Sequence, residues 1–183
     1  MWEQKNIGNQ ILLKNYTQMK KEGKSMYPKR LIISPHADDE IIGCYEVLIK
    51  PFEGDTIVLF PNDLSMSQAT KSAKLFNFQI GSTFDLGVYN SISSDLNIKF
   101  YFPDPIYELH PEHRKWGGYG EVLARMGWDV SFYVTNMNAP YIREVKNSSG
   151  KQEALNECYP IKQTLWYSDY KYFLFEGQCK WIF

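Results

Sequence analysis

The sequence predicts an α/β protein: a Rossmann-like three-layer α/β/α sandwich on a mainly parallel sheet. Three observations predict it. The runs Arg30-Leu31-Ile32-Ile33-Ser34 and Thr56-Ile57-Val58-Leu59-Phe60 are apolar without polar alternation, as in strands buried on both faces. A helical pattern lies between them, which makes a βαβ unit with a right-handed crossover. Strand and helix patterns then keep alternating along the chain.

Residues 1–29 are polar and mixed, and Ile11-Leu12-Leu13 with Tyr16 and Met19 suggest one amphipathic helix ending near Gly23. After the first strand, Glu40, Ile41, Ile42, Tyr45, Val47, Leu48 and Ile49 fit a helix that ends before Pro51, because proline disfavours helix at the residue before it. Gly54-Asp55 turns into the second strand. Ser65 to Phe78 reads as a helix that buries Ala69, Ala73, Leu75 and Phe76. Thr83 to Leu86 suggests a third strand, and Ile98 to Phe102 a fourth, stopped by Pro103 and Pro105. Residues 114–126 look helical, with Gly117-Gly118-Tyr119-Gly120 as an irregularity or a mobile rim. Val130 to Val134 reads as a strand, and Ser149 as the cap of a helix reaching Asn156. The aromatic tail from Tyr170 to Phe183 carries no readable pattern. With 183 residues, no internal repeat and no linker, the chain reads as one domain, 1–183, in which 1–29 is a polar extension.

Composition narrows the function. The net charge is -1 and no basic tract stands out, which argues against a dedicated nucleic-acid binder. The stretch from Lys20 to Arg30 is short, contains Glu22 and reads as solvated. Cys44, Cys158 and Cys179 are odd in number and widely spaced, so neither a disulfide framework nor a cysteine zinc knuckle is expected. Cys44 reads as a small buried residue. The N-terminus lacks the apolar core of a signal peptide, and no apolar run reaches the length of a membrane span. The expected setting is cytoplasmic. Aromatics make up 16%, enough to fill a core and to line a pocket that binds a sugar or a base.

The chemistry concentrates in two segments. The three histidines, His36, His110 and His113, all lie in Pro35-His36-Ala37-Asp38-Asp39-Glu40 or His110-Pro111-Glu112-His113. An acidic first helical turn favoured by the macrodipole would explain the acids alone. It does not explain why His36 precedes them directly, or why the other histidines share a second tight motif. His36 and Asp39 lie three apart across a strand-to-helix turn, so both can face one point. One distant histidine completes a two-histidine, one-carboxylate set. Zinc accepts such ligands with a position left open for water, and iron(II) suits the same set. Water so activated is a nucleophile at neutral pH. Strand ends in open α/β sheets are where ligands bind, and Pro35 follows such an end.

These two segments resemble the signatures of the LmbE-like, or PIG-L, N-deacetylases. The family's P-H-P/A/S-D-D-E with a following Gly stands here as Pro35 to Glu40 with Gly43, and its H-P-D-H as His110-Pro111-Glu112-His113. A weaker K-x-x-A-L feature stands as Lys151-Gln152-Glu153-Ala154-Leu155, so the resemblance runs from about Arg30 to at least Leu165. It implies His36, Asp39 and His113 as metal ligands and Asp38 as general base. It implies that His110 stabilises the oxyanion or protonates the amine. The implied activity is zinc-dependent removal of an N-acetyl group from a small amino sugar or sugar conjugate. The rival readings are a metal-dependent esterase or phosphoesterase, and a non-catalytic metal-binding or interaction protein of the same fold.

Departures from the family pattern are specific. Glu112 replaces the usual Asp, and Tyr45-Glu46 replaces a Gly pair. Ser65 and Gln68 stand where an Arg-x-x-Glu pair is usual, and Asn90 where an Asp is usual. The missing arginine implies a neutral substrate in place of an anionic one. Tyr89, Tyr107, Trp116 and Tyr119 lie near the motifs as candidate sugar-stacking rings.

Overall fold

A computed structural model describes residues 30–61, 66–81, 98–160 and 174–181. The strands are β1 (Arg30–Ile33), β2 (Thr56–Leu59), β3 (Gln79–Gly81), β4 (Lys99–Pro103), β5 (Asp129–Val134), β6 (Ile142–Glu144) and β7 (Phe175–Cys179). The helices are α1 (Asp39–Ile49), α2 (Met66–Phe76), α3 (Pro111–Arg125) and α4 (Ser148–Cys158). The fold is α/β, as the sequence predicts.

The sheet runs β3-β2-β1-β4-β5-β7-β6. Its first five strands are parallel, while β7 is antiparallel to β5 and to β6. The apolar runs behave as two-faced strands. Ile32, Val58, Tyr101 and Tyr133 enter a cluster with Ile41, Ala69 and Leu155, from α1, α2 and α4. Leu31, Ile33, Phe100, Phe102 and Phe132 enter a second cluster with Leu123 of α3. Among the described residues no helix is long and apolar enough to cross a membrane.

Beyond β1 the chain turns one way through α1 to β2, whereas β4 leads through α3 to β5 on the other side. The β1/β4 junction is therefore the topological switch point, where open sheets of this kind bind ligands. Both histidine segments follow it, one after β1 and one after β4.

Several boundaries correct the sequence reading. α2 stops at Phe76, because Asn77 takes a positive φ of 53°, and Gln79–Gly81 forms a strand. α3 starts at Pro111, ahead of the expected 114: proline suits a first turn, and His110 Nδ1 accepts from the Glu112 amide at 3.3 Å. The glycines within it are neither irregular nor a rim. A Cβ on Gly117 would lie 2.7 Å from the Pro103 carbonyl, and one on Gly120 would lie 2.7 Å from the Phe102 ring. They let α3 lie flat on β4, which brings its N-terminus over the switch point. Asn147, not Ser149, caps α4 by accepting from the Gly150 amide at 3.1 Å. The tail supplies β7. The amphipathic pattern at residues 11–19, Ser65, the strand expected at Thr83 to Leu86, Tyr89, Asn90 and Tyr170 lie outside the described residues.

Candidate metal centre

After β1 the backbone turns sharply to place His36 and Asp39 together. The His36 amide donates to Asp39 Oδ2 at 2.8 Å, and His36 Nδ1 lies 3.4 Å from the same oxygen. His113, one turn into α3, sets its Nε2 3.0 Å from Asp39 Oδ2 and 3.1 Å from His36 Nδ1. Three donor atoms from two segments thus form a triangle with edges of 3.0, 3.1 and 3.4 Å. Tetrahedral zinc, with N and O ligands at roughly 2.0–2.1 Å, separates them by about 3.3–3.4 Å. The donor set fits such an ion. His110 joins the group: ligand atoms of His36, His110 and His113 lie within 4.8 Å of one another, a cluster that could hold a metal ion.

The histidines differ in setting. His113 is 4% exposed, whereas His110 stands exposed at the helix N-cap. Burial disfavours the His113 cation, but Asp39 and Glu108 outweigh it and carry its pKa up to about 10. Burial also opposes ionisation of Asp39, yet His113 and then His36 hold its carboxyl well below the usual range. A proton or a metal ion on His113 Nε2 would each satisfy Asp39. His110 is pushed down by burial and by the neighbouring histidines, which favours the neutral ring. With Nδ1 accepting from Glu112, a neutral His110 carries its proton on Nε2. That makes it a donor toward the site more than a ligand.

Asp38 takes φ 130°, a conformation few non-glycine residues adopt. Such backbone persists only where its surroundings over-determine it. Here Glu40 does so. Its Oε2 accepts from the Asp38 amide at 3.0 Å and from Ser34 Oγ at 3.1 Å. Its Oε1 accepts from Ser72 Oγ at 2.7 Å and Tyr159 Oη at 2.5 Å. Glu40 is fully buried and burial raises its pKa. It ties the turn to α2 and to the residue after α4.

The structure thus brings all five sequence-predicted residues, His36, Asp38, Asp39, His110 and His113, to one end of the sheet. Sequence reasoning missed Glu108 and Thr135, which lie behind His113. Glu108 Oε2 is 3.1 Å and Thr135 Oγ1 3.2 Å from His113 Nδ1. The one available hint was that Thr135 directly follows the end of β5. Of the candidate stacking rings, Trp116 and Tyr119 pack against the α3-side core, and Tyr107 stacks on Trp181. Cys44 is fully buried and burial pushes its thiol up, as befits a packing residue.

No family model, curated protein or solved structure matches this chain.

Proposed function

We propose that this chain is a metal-dependent hydrolase of the LmbE-like, or PIG-L, kind, a zinc N-deacetylase acting on a small N-acetylated amino sugar. One observation carries the reading. His36 Nδ1, Asp39 Oδ2 and His113 Nε2 converge within 3.4 Å, the donor types and close to the spacing that a three-ligand site on a divalent ion requires. The sheet order around β1 and β4 further supports the Rossmann-like sandwich of that family.

In this reading His36, Asp39 and His113 hold the ion, and iron(II) is the alternative to zinc. When bound, the ion would supply Lewis acidity and lower the pKa of a bound water to roughly 7. Asp38, next to the ligand Asp39 and held in its unusual backbone conformation, accepts the proton of the attacking water. His110 offers Nε2–H to the oxygen that gains charge as the amide carbonyl becomes tetrahedral. It also places a proton beside the departing amine. The amide C–N bond breaks, the water oxygen remains in acetate, and the proton taken by Asp38 ends on the amine. Proton transfer by positioned groups of this kind contributes about 10²- to 10⁴-fold.

Acetate release from N-acetylglucosamine and simple N-acetylated glycosides, with metal-free and zinc-loaded protein, tests the proposal. Zinc-dependent acetate is the expected result. Zinc uptake with no release from amides, esters or phosphoesters would instead indicate a binding protein. Release from esters or phosphoesters alone would move the chain to another hydrolase class.

A further inference from the structure

Glu108 lies on the chain between β4 and α3, 2% exposed, in a setting built around its two oxygens. Oε1 accepts from the Thr135 amide at 2.5 Å. Oε2 accepts from Thr135 Oγ1 at 3.1 Å and Asn136 Nδ2 at 3.3 Å, and lies 3.1 Å from His113 Nδ1. Thr135 donates its only hydroxyl proton to Glu108, so toward His113 Nδ1, 3.2 Å away, it can only accept. Among the described residues, both groups within reach of Nδ1 are therefore acceptors.

We propose that Glu108, seconded by Thr135, is the positioning residue that locks His113 in its Nδ1–H form and turns its Nε2 lone pair toward His36 and Asp39. The inference rests on the metal-site reading and extends it to a residue outside both histidine segments. A carboxylate behind a ligand histidine fixes the ring and raises its basicity, and losing it typically weakens metal binding about 10- to 100-fold. The same shell dictates what Glu108→Gln does. The Thr135 amide needs an oxygen at the Oε1 position, so the new NH₂ falls at Oε2. There it donates to Nδ1 and drives the His113 proton onto Nε2, closing the ligand atom.

Zinc itself is the probe, titrated into metal-free protein against a chromophoric chelator. The zinc Kd of Glu108→Gln is expected to rise about 10- to 100-fold, with far-UV circular dichroism unchanged. Thr135→Val is expected to shift it in the same direction by less. Unchanged affinity in Glu108→Gln would overturn the proposal, because a merely structural carboxylate changes apoprotein stability and not Kd. Should that variant not fold, ¹⁵N-histidine spectra of the zinc-loaded native protein decide. His113 must show a protonated Nδ1 and a metallated Nε2, and the reverse pattern overturns the proposal. No zinc uptake by the native protein would refute the metal site itself and this inference with it, an outcome distinct from tight binding that ignores Glu108.

Discussion

Lys151 and Glu176 take the two ends of one broken hydrogen bond in α1. Lys151 Nζ donates to the Ile42 carbonyl at 2.5 Å, and Glu176 Oε2 accepts from the Glu46 amide at 3.1 Å. Those two backbone groups would pair in a regular helix, but α1 kinks at Cys44, with φ -134°. Kinks arise where side chains insert into the helical ladder. The two heads lie 3.8 Å apart, buried, so each ion also faces its partner. Tyr45 and Glu46 follow the kink and bond to the chain ahead of α4. Tyr45 Oη accepts from Asn147 Nδ2 at 3.3 Å, while Glu46 accepts from the Lys146 amide at 3.0 Å. Lys151→Met would strand a buried carboxylate, at about 3–5 kcal/mol. Urea denaturation is expected to register that loss, and Lys151→Met/Glu176→Gln should recover part of it. A loss below 1 kcal/mol, on the scale of about 0–1 kcal/mol for exposed pairs, would mean that the pair is solvated.

The pair also sets a pH dependence. Burial raises Glu176 to about 7, against Lys151, which favours its ion. Its contribution is therefore full below the unfolded value and lost as pH rises through about 7. Burial lowers Lys151 to about 8, against Glu176, Cys44 and Glu46, which favour the cation. Its contribution is full above the unfolded value and lost as pH falls through about 8. The two shifts converge on neutral pH, Glu176 from below and Lys151 from above. The stability of the native protein minus that of the double neutral variant should be lowest near neutral pH and rise toward both acid and base. A difference that does not change with pH would refute the linkage.

The parts of the fold legible in the sequence are those set by local pattern. β1 and β2 are buried on both faces, so no polar residue interrupts them, and the two histidine segments each concentrate their chemistry within a few positions. β7 was not legible because its sequence, Phe175-Glu176-Gly177-Gln178-Cys179, carries a charge and a glycine. Glu176 sits there to meet Lys151 of α4 and the Glu46 amide of α1, partners that a local pattern does not reveal. The glycines of α3 misled for a related reason. Local propensity counts Gly117 and Gly120 against a helix, while contact with Pro103 and Phe102 requires them. Glu108 lacked a signal because Thr135, which holds it, arrives only when β5 pairs with β4. Lys151, which the sequence offers as part of a K-x-x-A-L feature, serves α1 and not the metal centre.

Asp38→Asn is expected to keep the metal and lose turnover by about 100- to 10,000-fold. His110→Gln should likewise keep zinc while slowing acetate release, because its Nδ1 is engaged by Glu112. Metal content by atomic emission, measured beside kcat, separates the roles. Loss of zinc in His110→Gln would make the three-histidine set the ligands, and full activity in Asp38→Asn would take the base role away from Asp38.

The substrate should be a compact, neutral N-acetyl amino sugar and not an anionic one. Four carboxylates, Asp38, Asp39, Glu40 and Glu108, are buried around or directly behind the cluster. A divalent ion offsets two of these four charges. What remains is a floor without surplus positive charge, against which a phosphate or carboxylate gains nothing. The chain leading to His110 exposes Ile106 and Leu109, and Met137 is exposed on the loop held to it by Asn136, whose Nδ2 donates to the Tyr107 carbonyl at 3.0 Å. That edge is uncharged and suits the apolar face of a sugar ring. Arg114 and Lys115 are exposed beside His113 and are the cations an anionic substrate would use. The deciding comparison is kcat/KM for N-acetylglucosamine against its 6-phosphate, in native protein and in Arg114→Gln and Lys115→Gln. A preference for the neutral sugar, unchanged in both variants, is the expected outcome. A strong preference for the phosphate that either substitution abolishes would reverse the assignment of charge at this site.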